Sequence, residues 1–114
     1  MKIINLKEFR QLPAGVLFMK YEPCVFEDLQ AKGKTLEGDF VTENITYWPD
    51  CNGSGDMVDK LEEAEKTDKS ILLDFDACGR DGCFEKDQLF AVYDKRDVEM
   101  LMDKLNRCLV SAYT

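Results

Sequence analysis

The sequence predicts an α+β fold: a small, curved, mostly antiparallel sheet with a short N-terminal helix, an acidic middle helix and a long C-terminal helix. Three observations carry that reading. Short apolar or alternating runs (GVLFMKY, FVTENITYW, SILLDFDA, QLFAVYD) are separated by turns rich in Pro, Gly, Asp and Asn. Apolar residues recur at helical spacing from Val98 to Ala112. Sequential strands joined by short turns favour antiparallel pairing, and a helix at each end with one between them suggests α+β. A half-barrel of the SH3 type, backed by the last helix, fits this pattern.

Each element has a local reason. Asn5 is placed to cap a short helix, with Glu8 three residues on to complete a capping box. Leu6, Phe9 and Leu12 give that helix an apolar side, and Pro13 stops it. GVLFMKY is too short for a globular helix and suits a buried strand, with Pro23 at its turn. LQAKGK alternates as a half-exposed strand does. In FVTENITYW, Val41, Ile45 and Tyr47 fall on one face, and Thr42, Asn44 and Thr46 on the other. PDCNGSGD is a loop by composition, and Ser54 or Asp56 can cap the helix that follows. Met57, Leu61 and Ala64 share one side of that helix, and charge fills the other. SILLDFDA reads as a strand with Ile71, Leu73, Phe75 and Ala77 on one face, joined through the turn dipeptide Asp81-Gly82 to QLFAVYD as a hairpin. Asp94 caps the last helix, whose stripe is Val98, Leu101, Met102, Leu105, Leu109 and Ala112.

At 114 residues the chain predicts one domain, residues 1–114, with no repeat and no low-complexity tract. The opening MKIINLKEFRQLP lacks the apolar run of a signal peptide, and no segment approaches the roughly 20 apolar residues of a membrane span. The expected compartment is the cytoplasm. Five cysteines (Cys24, Cys51, Cys78, Cys83 and Cys108) are an odd count without a framework, and read as free thiols.

The net charge of −8 is unevenly spread. Residues 1–36 carry net +2 and residues 66–114 net −2, whereas residues 37–65 hold nine acidic side chains against Lys60 alone. That distribution argues against direct binding to nucleic acid or to an anionic membrane, both of which need a cationic surface. It favours a positively charged partner or a metal ion.

DFDACGRDGCFE, residues 74–85, tests the metal readings. The EF-hand pattern maps Asp74, Asp76 and Cys78 to the first three ligand positions, Gly79 to the turn and Glu85 to the bidentate end. Cys78 is a soft ligand where a hard cation wants oxygen. The flanks alternate like strands instead of helices. A second near match, DCNGSGDMVDKL from Asp50, ends on Leu61 where the glutamate belongs. Asp74, Asp76 and Glu85 are therefore held as an alternative calcium set, with no metal or cofactor expected. For zinc, Cys78 and Cys83 are too widely spaced for a tight thiolate pair, and the chain has no histidine.

The lack of histidine also removes the commonest general base and the Ser-His and Cys-His nucleophiles. No phosphate-binding glycine loop is present, and an enzyme is not expected. Tyr47 and Trp48 sit beside the acidic region, where aromatic anchors ringed by charge suit a protein-binding patch, and the competing reading makes the single tryptophan a core residue. The expected partner-binding residues are Glu43, Tyr47, Trp48, Asp56, Asp59, Glu62, Glu63 and Glu65.

Two segments, LPAGVLFMKYEPCVFEDLQAKG and DQLFAVYDKRDVEMLMDKL, resemble small acidic proteins of unassigned role encoded by bacteriophages and prophages. The resemblance implies a cytosolic accessory protein of an infected bacterium. Anti-CRISPR and other anti-defence proteins belong to that broad class, often as acidic proteins that block a nucleic-acid-binding surface. The leading expectation is thus a non-enzymatic inhibitor that occupies a basic surface of a host protein. A small-ligand or calcium-binding module is the alternative. A third reading is a structural or assembly subunit of a phage particle, whose sign would be self-association.

Overall fold

The computed structural model describes residues 1–113. In chain order its elements are β1 (Lys2–Asn5), α1 (Leu6–Arg10), β2 (Leu17–Glu22), β3 (Val25–Phe26), β4 (Gln30–Leu36), β5 (Asp39–Asn44), α2 (Ser54–Lys66), β6 (Cys78–Arg80), β7 (Leu89–Val92) and α3 (Lys95–Ala112). The fold is α+β, as the sequence predicts. One antiparallel sheet runs β1-β7-β2-β4-β5-β6, with β3 paired to β2 off this path. The sheet stays open, since β1 and β6 are its two ends.

Four phenylalanines make the core. Phe9 from α1 lies over the sheet, its ring stacked 4.1 Å from Phe90 and edge-on to Phe18 and Phe40 at 4.7 and 5.0 Å. All four are at most 1% exposed. Offset and edge-to-face geometry at these spacings favours the ring quadrupoles as well as the burial. Asn5 holds the helix that delivers Phe9. Its side-chain oxygen accepts the Glu8 backbone N–H at 2.9 Å while its backbone ends β1 opposite Leu89. Only this half of the expected capping box forms.

Several local expectations are corrected. β4 does not alternate, because Ala31, Lys32 and Gly33 are all buried. The register between Lys32 and Thr35 shifts, and a Cβ on Gly33 would come within 2.8 Å of the Val41 side chain. The Lys32 ammonium is enclosed there, donating to the Gly33 carbonyl at 3.2 Å and to the Thr35 hydroxyl at 2.7 Å. β5 ends at Asn44, so Ile45 and Tyr47 lie beyond the strand.

The strand predicted over SILLDFDA is reduced to one bridge, Leu73 with Pro49. Asp74 accounts for this: its carboxylate accepts the Asp76 N–H at 2.9 Å and turns the chain. The hairpin through Asp81-Gly82 does not form. β6 pairs with β5 and β7 pairs with β1 and β2, so this turn carries the chain from one sheet edge to its interior.

The last helix does not back the sheet. α3 opens with a full capping box, in which the Asp94 carboxylate accepts from Asp97 N–H at 3.2 Å and the Asp97 carboxylate from Asp94 N–H at 3.0 Å. Yet neither α3 nor α2 buries a single residue. The radius of gyration, 16.2 Å, accordingly exceeds the roughly 13 Å of a compact chain of this length.

Candidate functional site

The acidic region is held by β5, the segment after it, and α2. Asn44 closes β5 by accepting the backbone N–H groups of Thr46 and Tyr47 at 3.0 and 3.1 Å. Its own N–H donates to the Ala77 carbonyl at 2.9 Å. Further along, Asp74 N–H donates to the Trp48 carbonyl and Asp50 N–H to the Leu72 carbonyl, both at 2.8 Å. The two acidic loops are thereby laid side by side, with Tyr47 and Trp48 presented between them.

Both aromatics reach the surface, Tyr47 at 52% and Trp48 at 36% exposure. The Tyr47 hydroxyl donates to the Asp28 carboxylate at 3.0 Å. That hydrogen bond, together with the Asp28 charge and partial burial, holds the phenol above the usual tyrosine range. The rings, 6.5 Å apart, border a cleft of about 290 Å³ also lined by Gln30, Thr42, Cys78 and Arg80. Glu43 does not line it, because strand alternation sends its side chain to the face opposite Thr42. Glu43 is therefore separated from the aromatic pair.

α2 begins without a side-chain cap. Gly53 occupies the cap position at φ 121°, and Ser54 is already the first helical residue. Asp56 instead accepts the Asn52 N–H at 2.8 Å and faces the Lys60 ammonium at 3.6 Å. Lys60 also donates to the Asp50 carbonyl at 2.7 Å, tying the helix to the loop before it. Glu63 pairs with Lys69 at 3.2 Å. Of the expected acidic residues, Asp56 and Glu63 are thus engaged within the chain. Asp59, Glu62 and Glu65 are exposed along the helix without an ion pair among the described residues.

The calcium alternative loses its geometry. Asp74 and Asp76 share a turn, but β6 intervenes before Glu85, and no helix enters the loop. In the Asp50 near match, the chain is helical from Ser54 onward, so Asp56 cannot occupy a loop ligand position.

One group the sequence reading missed does converge. Asp39, Asp81 and Cys83 bring a carboxylate oxygen or a sulfur each within 4.8 Å of the others. Asp39 is 5% exposed and accepts the N–H groups of Phe40 and Gly82 at 2.8 and 2.9 Å and the Arg80 guanidinium at 3.1 Å. Burial pushes its pKa up, but the bonds from Phe40, Gly82, Cys83 and Arg80 outweigh it and hold the carboxyl below its usual range. Asp81 pairs with Lys20 at 2.7 Å and accepts the Cys83 N–H at 3.1 Å. Burial first, then the hydrogen bond to Asp39, pushes the Cys83 thiol up to about 11. A thiol protonated at neutral pH is a weak nucleophile, and the Asp39 oxygens are occupied by donors from the chain itself. This is a polar knot that fastens the β6–β7 connection to β5.

All five cysteines are free, and no helix among the described residues is long and apolar enough to cross a membrane. No protein-family model, curated protein or solved structure matches the chain.

Proposed function

We propose that the protein is a non-enzymatic binding module whose acidic helix occupies a basic surface on another protein. The observation that carries this is the outer face of α2, where Asp59, Glu62 and Glu65 stand exposed on a helix that buries nothing. Carboxylates left unpaired in this way spend no interaction energy on their own chain. Tyr47 and Trp48, half-exposed beside the loop that leads into α2, supply aromatic anchors. A field of this sign steers a cationic partner and makes association salt-dependent. The resemblance to small acidic phage proteins adds the class of partner: a host protein whose basic surface normally holds nucleic acid.

The experiment is a tagged pull-down from bacterial lysate at low salt, comparing wild type with the Asp59→Gln, Glu62→Gln, Glu65→Gln triple variant. The reading requires one stoichiometric partner that is released by salt, displaced by added nucleic acid, and lost with the variant. A partner held equally well by the variant, or indifferent to salt, would sink it.

A further inference from the structure

α3 is the longest element in the chain, and its apolar stripe faces water from Met102 onward, with Val98 and Leu101 half-buried. Met102, Leu105 and Leu109 are 64%, 59% and 57% exposed, and Tyr113 just beyond the helix is 77% exposed. Cys108 and Ala112, on the same side, are also exposed. Taking about 100 Å² for a Leu or Met side chain, about half that for Cys or Ala and about 200 Å² for Tyr, each scaled by its exposure, the open stripe offers roughly 400 Å² of apolar surface. Interfaces are about 60% apolar, so this stripe matches a contact of roughly 650 Å² per partner. That lies toward the lower end of standard stable interfaces, about 600–1,000 Å² a side.

Charge selects the occupant. The chain carries −8, but α3 carries Lys95, Arg96, Lys104 and Arg107 against Asp97, Glu99 and Asp103, a net +1. It is therefore the one long surface where two copies meet without the repulsion that α2 would impose. A lipid surface fits less well, because interfacial helices carry a predominantly basic polar face and this one holds three carboxylates.

We propose that two copies of the chain associate through α3, packed antiparallel along this stripe. With the twofold axis between Asn106 and Arg107, Leu105 meets the second copy's Cys108, Leu101 meets Ala112, and Met102 meets Ser111. Large side chains then face small ones along the seam, as knobs into holes require, and Lys104 falls opposite Leu109 and Asp103 opposite Val110, so that no like charges oppose each other there. An apolar contact of this kind resists salt, in contrast to the binding proposed for α2, so failure of one proposal leaves the other standing.

Sedimentation equilibrium of the full chain across a dilution series tests it. Wild type is expected at twice the 13.1 kDa chain mass at high concentration, and undiminished by salt. Leu105→Glu combined with Leu109→Glu should reduce the mass to 13.1 kDa with an unchanged circular dichroism spectrum, since both residues are exposed in the single chain. A wild type that sediments as one chain at every concentration overturns the proposal, as does a variant that stays dimeric. Should the variant fail to fold, alkylation of wild-type Cys108 decides. Protection relative to the exposed Cys24 that is lost on dilution supports the dimer, and equal rates at all concentrations refute it.

Discussion

Replacing Phe9 by alanine strips the core of its centre. Phe9 is the only core phenylalanine that comes from a helix, and it touches the other three rings at 4.1–5.0 Å. Full burial of such a side chain contributes about 2.5 kcal/mol of transfer free energy. A residual cavity of roughly 80 Å³ adds about 2 kcal/mol at about 24 cal/mol per Å³, for a total near 4.5 kcal/mol. A domain of this length that buries so few apolar side chains falls at the low end of about 0.05–0.15 kcal/mol per residue, about 6 kcal/mol in all. The variant should therefore sit close to its unfolding threshold at room temperature. Urea denaturation followed by circular dichroism reads the loss directly. A destabilisation below about 1.5 kcal/mol with an unchanged slope would refute the claim that these four rings are the centre of the fold.

Burial, and after it the charge of Arg10, holds the Lys32 ammonium below the usual lysine range. A lysine with a depressed folded pKa binds fewer protons folded than unfolded, so stability rises as pH climbs from the folded value toward the unfolded one. Lys32→Met should abolish that alkaline rise in Tm, and an identical pH profile would contradict the assignment. Cys83, protonated at neutral pH, should alkylate far more slowly than Cys24 or Cys78 at pH near 8. Asp39→Asn removes the carboxylate that accepts from the thiol, so Cys83 should react faster, and an unchanged rate would mean that burial alone governs it. The Asp59, Glu62, Glu65 triple carboxamide should change stability by less than about 0.5 kcal/mol, because exposed charges without partners contribute little to folding. A larger loss in denaturant would show that this face is not free.

What the sequence made legible was mostly local. The Asp94 cap, the α2 and α3 periodicities, the Asn5 cap and the apolar run of β2 all depend on neighbours within a turn or two, and they stand in the structure. β1 went unread because four residues at a sheet edge carry little pattern. Alternation from Ile71 to Ala77 was genuine, yet the Asp74 side chain captured the Asp76 N–H and a turn won over a strand. The pairing of strands was invisible for a different reason, since β7 meets β1 and β2 from the far end of the chain. At the site, the acidic outer face of α2 was legible in composition, but whether Trp48 would be core or surface was not, nor that Asp56 and Glu63 would be paired within the chain. Asp39 and Gly82, 43 residues apart, gave no signal that they would meet.

The place of β7 in the sheet also dictates when folding can finish. Among the described residues β1 has no other strand partner, so Lys2–Asn5 wait, unpaired, until Leu89–Val92 have emerged. On the ribosome only the β2–β4–β5 meander, closed by the tight turn at Gly38, can organise early. The phenylalanine core gains Phe90 last, and with it the ring on which Phe9 stacks. Any nascent chain halted before that strand exposes the long edge of β2, a template for pairing with other chains.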